Sequence, residues 1–525
     1  MRADGQCGPV PEAPAQEEDG VAEQAVETGG TGARGAAQRP LRVAVVGAGP
    51  AGIYAADVLV KSGTDVSIDL YERHPAPFGL IRYGVAPDHP RIKGIVKALH
   101  QVLSKPQIRL LGNIEFGRDL SIEDLRRHYD AVIFTTGAEK DRALDIPGID
   151  LPGSYGGADF VSWFDGHPEV ERSWPLEAES VAVVGAGNVA LDVARILAKT
   201  ADELLYTEIP ANVYEGLSSS KIREVHVFAR RGPAQAKFTP LELRELDHSP
   251  NVEVLVDPED IEYDDGSVAA INSDNQTKLV VRELERYAMR TSEYQDSDTP
   301  VGQRPRKLWL HFFESPVEVL GTECVEGFRT ERTELTGDGN VKGTGVTRDW
   351  PVQAVYRCVG YRSTPLPGLP WDERLHTFPH DRGRLLDAPG GVPVPGLYAN
   401  GWVKRGPVGL IGHTKGDAIE TVGSLLEDLD TLPVAAEPDP GAVVALLEQR
   451  GVPYTTWDGW LRLDAYERTL GEEYGPVRHG DAEQLRERVK VVEREVMVEV
   501  SRRLEHDEPV SDAAIEQLVE SATSP

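Results

Sequence analysis

The stretch LRVAVVGAGPAGIYAADVL, residues 41–59, is matched without a gap by ESVAVVGAGNVALDVARIL, residues 179–197, and the core VAVVGAG recurs unchanged at 43–49 and 181–187. Each copy is a β-branched run, a glycine turn, and then apolar residues at helical spacing. That is strand, tight turn and helix, the opening of a βαβ unit. A single G-x-G-x-x-G is a weak signal. Two of them, each between a strand and a helix, predict an α/β chain with two Rossmann-like dinucleotide-binding domains.

In the first turn Gly47 permits the tight bend, Gly49 lets backbone approach a pyrophosphate, and Gly52 lets helix and strand pack closely. The helix N-terminus then faces the phosphate charge. The next strand, in VSIDLYER, ends at Glu72, whose carboxylate can accept both hydroxyl hydrogens of an adenosine ribose. In the second turn Gly185 and Gly187 repeat the arrangement, with Ala190 at the third position. A polar stretch, 200–222, follows and reads as an inserted loop. Next comes VHVFARRGP, 225–233, and where the first unit carries Glu72 this strand tip carries Arg230 and Arg231. A carboxylate repels a ribose bearing a 2′-phosphate, whereas paired guanidiniums bind one through charge-assisted hydrogen bonds. Unit one therefore reads as a site for an unphosphorylated dinucleotide, with FAD the candidate, and unit two as a site for NADP(H). Two such sites imply an internal path, because NADPH delivers hydride and a flavin can pass electrons on singly or in pairs.

A second echo pairs YDAVIFTTGAEKDR (129–142) with VQAVYRCVGYRSTP (352–365), and such segments suit the crossings between two domains. The expectation is one domain at 41–140 plus 352–430, with a second at 141–351 inserted into it. Residues 1–40 are rich in Gly, Ala, Glu and Gln and predict a disordered tail. Residues 431–525, with VKVVEREVMVEVSRRL at 489–504, predict an appended C-terminal helical extension.

Composition narrows the class. The chain has 525 residues, 40% hydrophobic and 27% charged, as soluble globular proteins of several domains do. A net charge of −31 disfavours a nucleic-acid partner, since phosphate backbones demand basic surfaces. The three cysteines are scattered and form no Cys-x-x-Cys, which argues against a disulfide scaffold, a zinc ribbon and a dithiol redox centre. No metal site is expected. No apolar run is long enough to span a bilayer and no secretory signal is visible, so a cytoplasmic location is the expectation.

Five segments together resemble the adrenodoxin reductase type of ferredoxin–NADP reductase, within the glutathione reductase-like flavoproteins. They are GAGPAGIYAADVL (47–59), RYGVAPDHPRIKGI (82–95), GAGNVALDVARIL (185–197), RRGPAQAKFTPLELREL (230–246) and GWVKRGPVGLIGHTKGDA (401–418). The resemblance spans most of residues 41–425. It implies FAD contacts at Ala51, Glu72, Leu80, Phe116, Trp402, Gly409, Leu410 and Ile411. For NADP(H) it implies Ala186, Gly187, Asn188 and Val189 at the pyrophosphate, Arg142 nearby, Arg230 and Arg231 on the 2′-phosphate, and Glu242, with Gly409 touching both cofactors. Thr239-Pro240-Leu241-Glu242 is also a capping box, so Glu242 has a helix-closing role open to it. His89 and Glu245 match residues the family holds near the nicotinamide and are the candidate catalytic pair. Shuttling protons or orienting water beside the flavin is open to His89, while hydride transfer, needing no obligatory acid or base, casts both as tuners.

The implied partner is a ferredoxin, an iron–sulfur protein, with a cytochrome P450 as an indirect one and the chain a monomer or dimer. Arg91, Lys93, Lys97, Lys404 and Arg405 are the candidate basic docking residues. Two rivals share the scaffold: another NADPH-dependent flavin reductase or monooxygenase, and an electron-input subunit of a glutamate synthase-like complex. The missing Cys-x-x-Cys argues against a disulfide reductase, and the 401–418 motif against an oxygenase.

Overall fold

A strand buried on both faces reads as a continuous apolar run, and both VAVV runs do. In the computed structural model, which describes residues 39–295, 305–409, 412–479 and 482–503, each run forms an inner strand of a parallel sheet. Leu41–Val46 lies between Val66–Tyr71 and Ala131–Phe134, all parallel. Ser180–Val184 lies in the same manner between Glu224–Phe228 and Ala354–Arg357. The second echo is thus the returning strand of each unit: Thr135 N–H donates to Val46 C=O, and Cys358 N–H to Val184 C=O, both at 2.8 Å.

The first sheet has eight strands, with Ile108–Gly112 and Pro393–Ala399 extending the parallel part and short antiparallel strands at its edges. The second has six, all parallel. One face of the second sheet (Ala182, Val184, Phe228) packs on Val319, Phe328 and Trp350 of a three-stranded antiparallel sheet. Its other face packs on helices such as Asn188–Ala198. The chain passes between the two sheets in an antiparallel ribbon of Lys140–Asp141 and Tyr361–Arg362.

Four expectations change. Residues 354–357 hydrogen-bond in the second sheet, so the return crossing lies at the ribbon rather than at 352. Residues 431–503 are not merely appended helices. They supply the edge strand Thr455–Thr456 and a hairpin, and Trp460, Leu463, Val496 and Met497 share one core with Val43 and Ile68. Within 200–222 stands the helix Ala211–Ser218, anchored by buried Ile209, Val213 and Leu217, where a loop was expected. Of the expected tail, residues 1–38 lie outside the described residues, while Arg39 pairs with Asp130 at 2.7 Å. No helix among the described residues is long and apolar enough to cross a membrane.

Candidate functional site

The first glycine turn is set by close packing. Gly47 has φ +112°, and a Cβ there would lie 2.7 Å from the Thr135 carbonyl oxygen; one on Gly52 would lie 2.0 Å from that of Gly47. Beside the turn, the buried Glu72 carboxylate accepts the N–H groups of Ala48 (3.0 Å) and His74 (3.1 Å). Burial pushes its pKa up to about 7 despite those two bonds. Gly79, the residue before Leu80, approaches Gly49 so closely that a Cβ on it would lie 3.2 Å from the Gly49 Cα. The Ala51 carbonyl accepts Asn400 Nδ2 at 2.8 Å, and a Cβ on Gly401 would strike the Ala51 Cβ at 2.6 Å. This brings Trp402 to the same turn, its ring 6.4 Å from that of Tyr361. Phe116 packs edge-on to Phe134, 5.3 Å between centroids. Gly409, φ +89°, is exposed beside Arg405 and His413. Leu410 and Ile411 lie outside the described residues.

The second turn differs where a ligand would lie. Gly185 is as crowded as Gly47, a Cβ there meeting the Cys358 carbonyl oxygen at 2.3 Å. A Cβ on Gly187, by contrast, would have no neighbour within 4 Å. The Ala186 carbonyl accepts Lys237 N–H at 2.8 Å, and Asn188 Oδ1 accepts Thr239 N–H at 2.9 Å. Val189 is half-buried against the second core. Arg142 is exposed and holds the ribbon through its N–H on the Gly360 carbonyl, 2.8 Å.

Register sharpens the comparison of the two strand tips. Val46 pairs with Tyr71 as Val184 pairs with Phe228, so Ala229 stands in the place of Glu72. Arg230 and Arg231 come one and two residues further on, a shift from the expected equivalence. Their backbone is fixed: the Arg230 carbonyl accepts the Thr333 hydroxyl at 2.8 Å and the Arg231 carbonyl accepts Phe313 N–H at 3.3 Å. Among the described residues neither guanidinium has a hydrogen-bond or ion-pair partner. Two free cations held on a rigid tip are suited to a multiply charged oxyanion.

A largely buried ionic cluster joins the two sheet domains. His89 Nε2 stands 2.9 Å from Asp192 and 2.6 Å from Glu242, and Nδ1 stands 2.8 Å from Glu245. Burial lowers the imidazole pKa, but the bonds to the three carboxylates outweigh it and raise it to about 11. Thr239 Oγ1 accepts Glu242 N–H at 3.3 Å, so half of the capping box forms, while the Glu242 carboxylate turns to His89 instead of closing it. Sequence reading missed Asp88, Asp192 and Arg195. Arg195 grips Asp88 with two bonds, 2.8 and 2.9 Å, and Asp192 with one at 2.7 Å. The signal was available: Asp192 and Arg195 stand three apart, one turn of helix, in the otherwise apolar helix NVALDVARILA. Arg195 also lies against His89, Asp192 and Glu242, one of two groups of converging donor atoms among the described residues, the other being His74, His167 and Glu169.

The expected docking cations disperse. Lys404 is buried on Asp417 (2.6 Å) and Glu420 (2.5 Å), and Lys93, half-buried, pairs with Glu208 (2.7 Å). Lys97 is exposed, Arg405 is half-buried, and the Arg91 side chain lies outside the described residues.

A sequence model of the pyridine nucleotide-disulphide oxidoreductases matches residues 41–246. Similar proteins include NADPH-ferredoxin reductase FprA of Mycobacterium tuberculosis, 40% identical over 457 residues, covering 84% of this chain and 96% of that one. Mitochondrial NADPH:adrenodoxin oxidoreductase of Bos taurus is 37% identical over 453 residues, 83% and 89% of the two chains. The solved structure of Mycobacterium tuberculosis FprA in complex with NADPH matches with a TM-score of 0.78 at 38% identity, over 88% of this chain and 100% of that chain.

Proposed function

The chain belongs to the family of the NADPH-ferredoxin and NADPH:adrenodoxin reductases, and from that premise we propose that it takes hydride from NADPH and delivers electrons singly to a ferredoxin, with a cytochrome P450 downstream. The observation that carries this reading is the contrast of strand tips. Glu72 is buried at the first turn, and two guanidiniums without a partner among the described residues stand at the second, with an ionic junction between the two units. FAD, when bound in the first unit, supplies two-electron uptake and one-electron release.

The residues present fit both groups. Glu72 binds each backbone N–H with one oxygen, which leaves lone pairs for two ribose hydroxyls. Gly47, Gly49, Ala51, Gly52, Leu80, Phe116, Trp402 and Gly409 line that unit, with Leu410 and Ile411 beside them in sequence. Gly187, open above the N-terminus of Asn188–Ala198, lets backbone approach a pyrophosphate, with Ala186, Asn188 and Val189 beside it in the turn and Arg142 on the ribbon at Gly360. Arg230 and Arg231 select the 2′-phosphate. His89, Glu242 and Glu245 sit where the two units meet. His89 stays charged through neutral pH, so with Glu245 it tunes and orients rather than shuttling protons. Cytoplasmic action suits a chain whose described cysteines, Cys324 and Cys358, are both free.

The test is direct. The purified chain should carry flavin absorbance that NADPH bleaches anaerobically and NADH bleaches poorly, and a ferredoxin should accelerate NADPH-driven cytochrome c reduction. Absence of bleaching rejects the reductase reading; bleaching with no response to any of several ferredoxins rejects the acceptor.

A further inference from the structure

Residues 486–494 run from the hairpin that ends at Leu485 to the helix Arg494–Arg502, and their side chains reach both sheet domains. Lys490, buried, lies at the centre. Its Nζ donates to the Arg82 carbonyl (2.5 Å) on the first-sheet side, and to the Asp165 carbonyl (3.0 Å) and Glu208 (2.9 Å) on the second. Arg486 donates to the carbonyls of Thr207 (3.3 Å) and Ile209 (2.6 Å). Arg494 donates to Asn113 Oδ1 and to Glu169, both at 2.8 Å. The segment is itself seated on the first-sheet side. Val491 N–H donates to Glu467 at 3.0 Å, Glu467 accepts from Arg82, and Val491 belongs to the first core.

Domains joined by thin crossings move relative to one another unless an interface restrains them. Here the crossing is a two-stranded ribbon. Buried charges are weak sources of stability, and their best-attested use is to specify one arrangement over others. The Lys490 site also connects to the cofactor junction. Lys93 shares Glu208 with it, 2.7 Å away, and Lys93 ends the single turn Pro90–Lys93 that His89 begins.

We propose that Lys490 is a positioning residue, and that residues 486–494 form a strap holding the second sheet domain against the first at one separation, which sets the approach of nicotinamide to flavin. This rests on the reading of the two units as NADP(H) and FAD sites. Asp165 and Glu208 hold one end, Arg82 and Glu467 the other, and His89 transmits the setting to the carboxylates of the second unit.

The test compares the flavin-loaded full chain with Lys490→Met and with Arg486→Met, the latter at the edge of the strap. In Lys490→Met, flavin reduction at saturating NADPH should slow by about tenfold to a hundredfold, the cost of a small misplacement. The NADPH–flavin charge-transfer absorbance should weaken. Affinity for 2′,5′-ADP, which needs only the second unit, should stay within about twofold, since distant sites act independently. Amide hydrogen exchange should rise at 165–167 and 207–209 in Lys490→Met, and at 207–209, where Arg486 holds two carbonyls, in Arg486→Met. Unchanged exchange and an unchanged charge-transfer band in both variants overturn the strap. If Lys490→Met does not fold, Arg486→Met decides by the same readouts. If NADPH fails to reduce the wild-type flavin, the cofactor reading falls while hydrogen exchange still decides the strap.

Discussion

His89 Nδ1 donates to the Glu245 carboxylate 2.8 Å away, joining a loop of the first sheet domain to a helix of the second. Asp192 and Glu242 face the other ring nitrogen, and together the three carboxylates hold the imidazole charged against the cost of burial.

The first prediction concerns pH. With a folded pKa raised from 6.5 to about 11, the folded chain binds the His89 proton more tightly than the unfolded one. The stabilisation is therefore complete below about pH 6.5 and is lost as pH rises toward 11. Urea unfolding of wild type and His89→Gln should show their difference shrinking from pH 6 to pH 10. A difference that widens with pH refutes the charged junction. The rate of flavin reduction should show no inflection from His89 between pH 6 and 8.

Cofactor choice is the second. Replacing Arg230 and Arg231 with neutral residues should lower the preference for NADPH over NADH by one to a few orders of magnitude, at about 1.5–3 kcal/mol for each charged hydrogen bond. Because both side chains lack partners among the described residues, the unfolding temperature should barely move. Steady-state kcat/KM with both nucleotides measures the effect, and an unchanged ratio would mean the strand tip has been misassigned.

A pair of glycine substitutions separates folding from binding. Gly52→Ala puts a methyl 2.0 Å from the Gly47 carbonyl oxygen and should yield insoluble or flavin-free protein. Gly187→Ala meets no atom within 4 Å and needs no unusual backbone, so it should fold and bind flavin normally. Its KM for NADPH should nonetheless rise, because the methyl enters the space the pyrophosphate needs. Normal NADPH kinetics in Gly187→Ala would falsify that placement.

Lys404 supplies the fourth. Removing one partner of a buried ion pair typically costs about 3–5 kcal/mol, and Lys404 Nζ is enclosed by Asp417, Glu420 and Thr421. Lys404→Glu should lower the unfolding midpoint and depress ferricyanide and ferredoxin reduction alike. Selective loss of ferredoxin turnover with normal stability would restore Lys404 to the docking surface.

Much of the site was legible because a turn and a strand tip are local. VAVVGAG at 43–49 and 181–187 dictates strand, bend and helix over a few residues, and period and glycine spacing report such elements faithfully. Glu72, Arg230 and Arg231 follow from those turns by chain order alone, to within the one-residue register shift at Ala229. Lys93 and Lys404 were misread as surface cations because a lysine's sequence neighbours do not disclose whether carboxylates remote in the chain will enclose it. Asp88 escapes notice for the same reason, since its partners Arg195 and Lys199 lie on another element, whereas Asp192 and Arg195 offered a local signal in their spacing.

By itself, then, the amino-acid sequence determined two glycine-turn units, their order, and the opposite charges at their strand tips, since each rests on contacts within one βαβ unit. Only the tertiary structure decided how the units are joined. The His89 junction brings together residues 89, 192, 242 and 245, and the Lys490 strap reaches back to residues 82, 165 and 208. Ionic partners so far apart in the chain are chosen by which surfaces the packed sheets present, and burial then decides which charges are held and which remain free for a ligand.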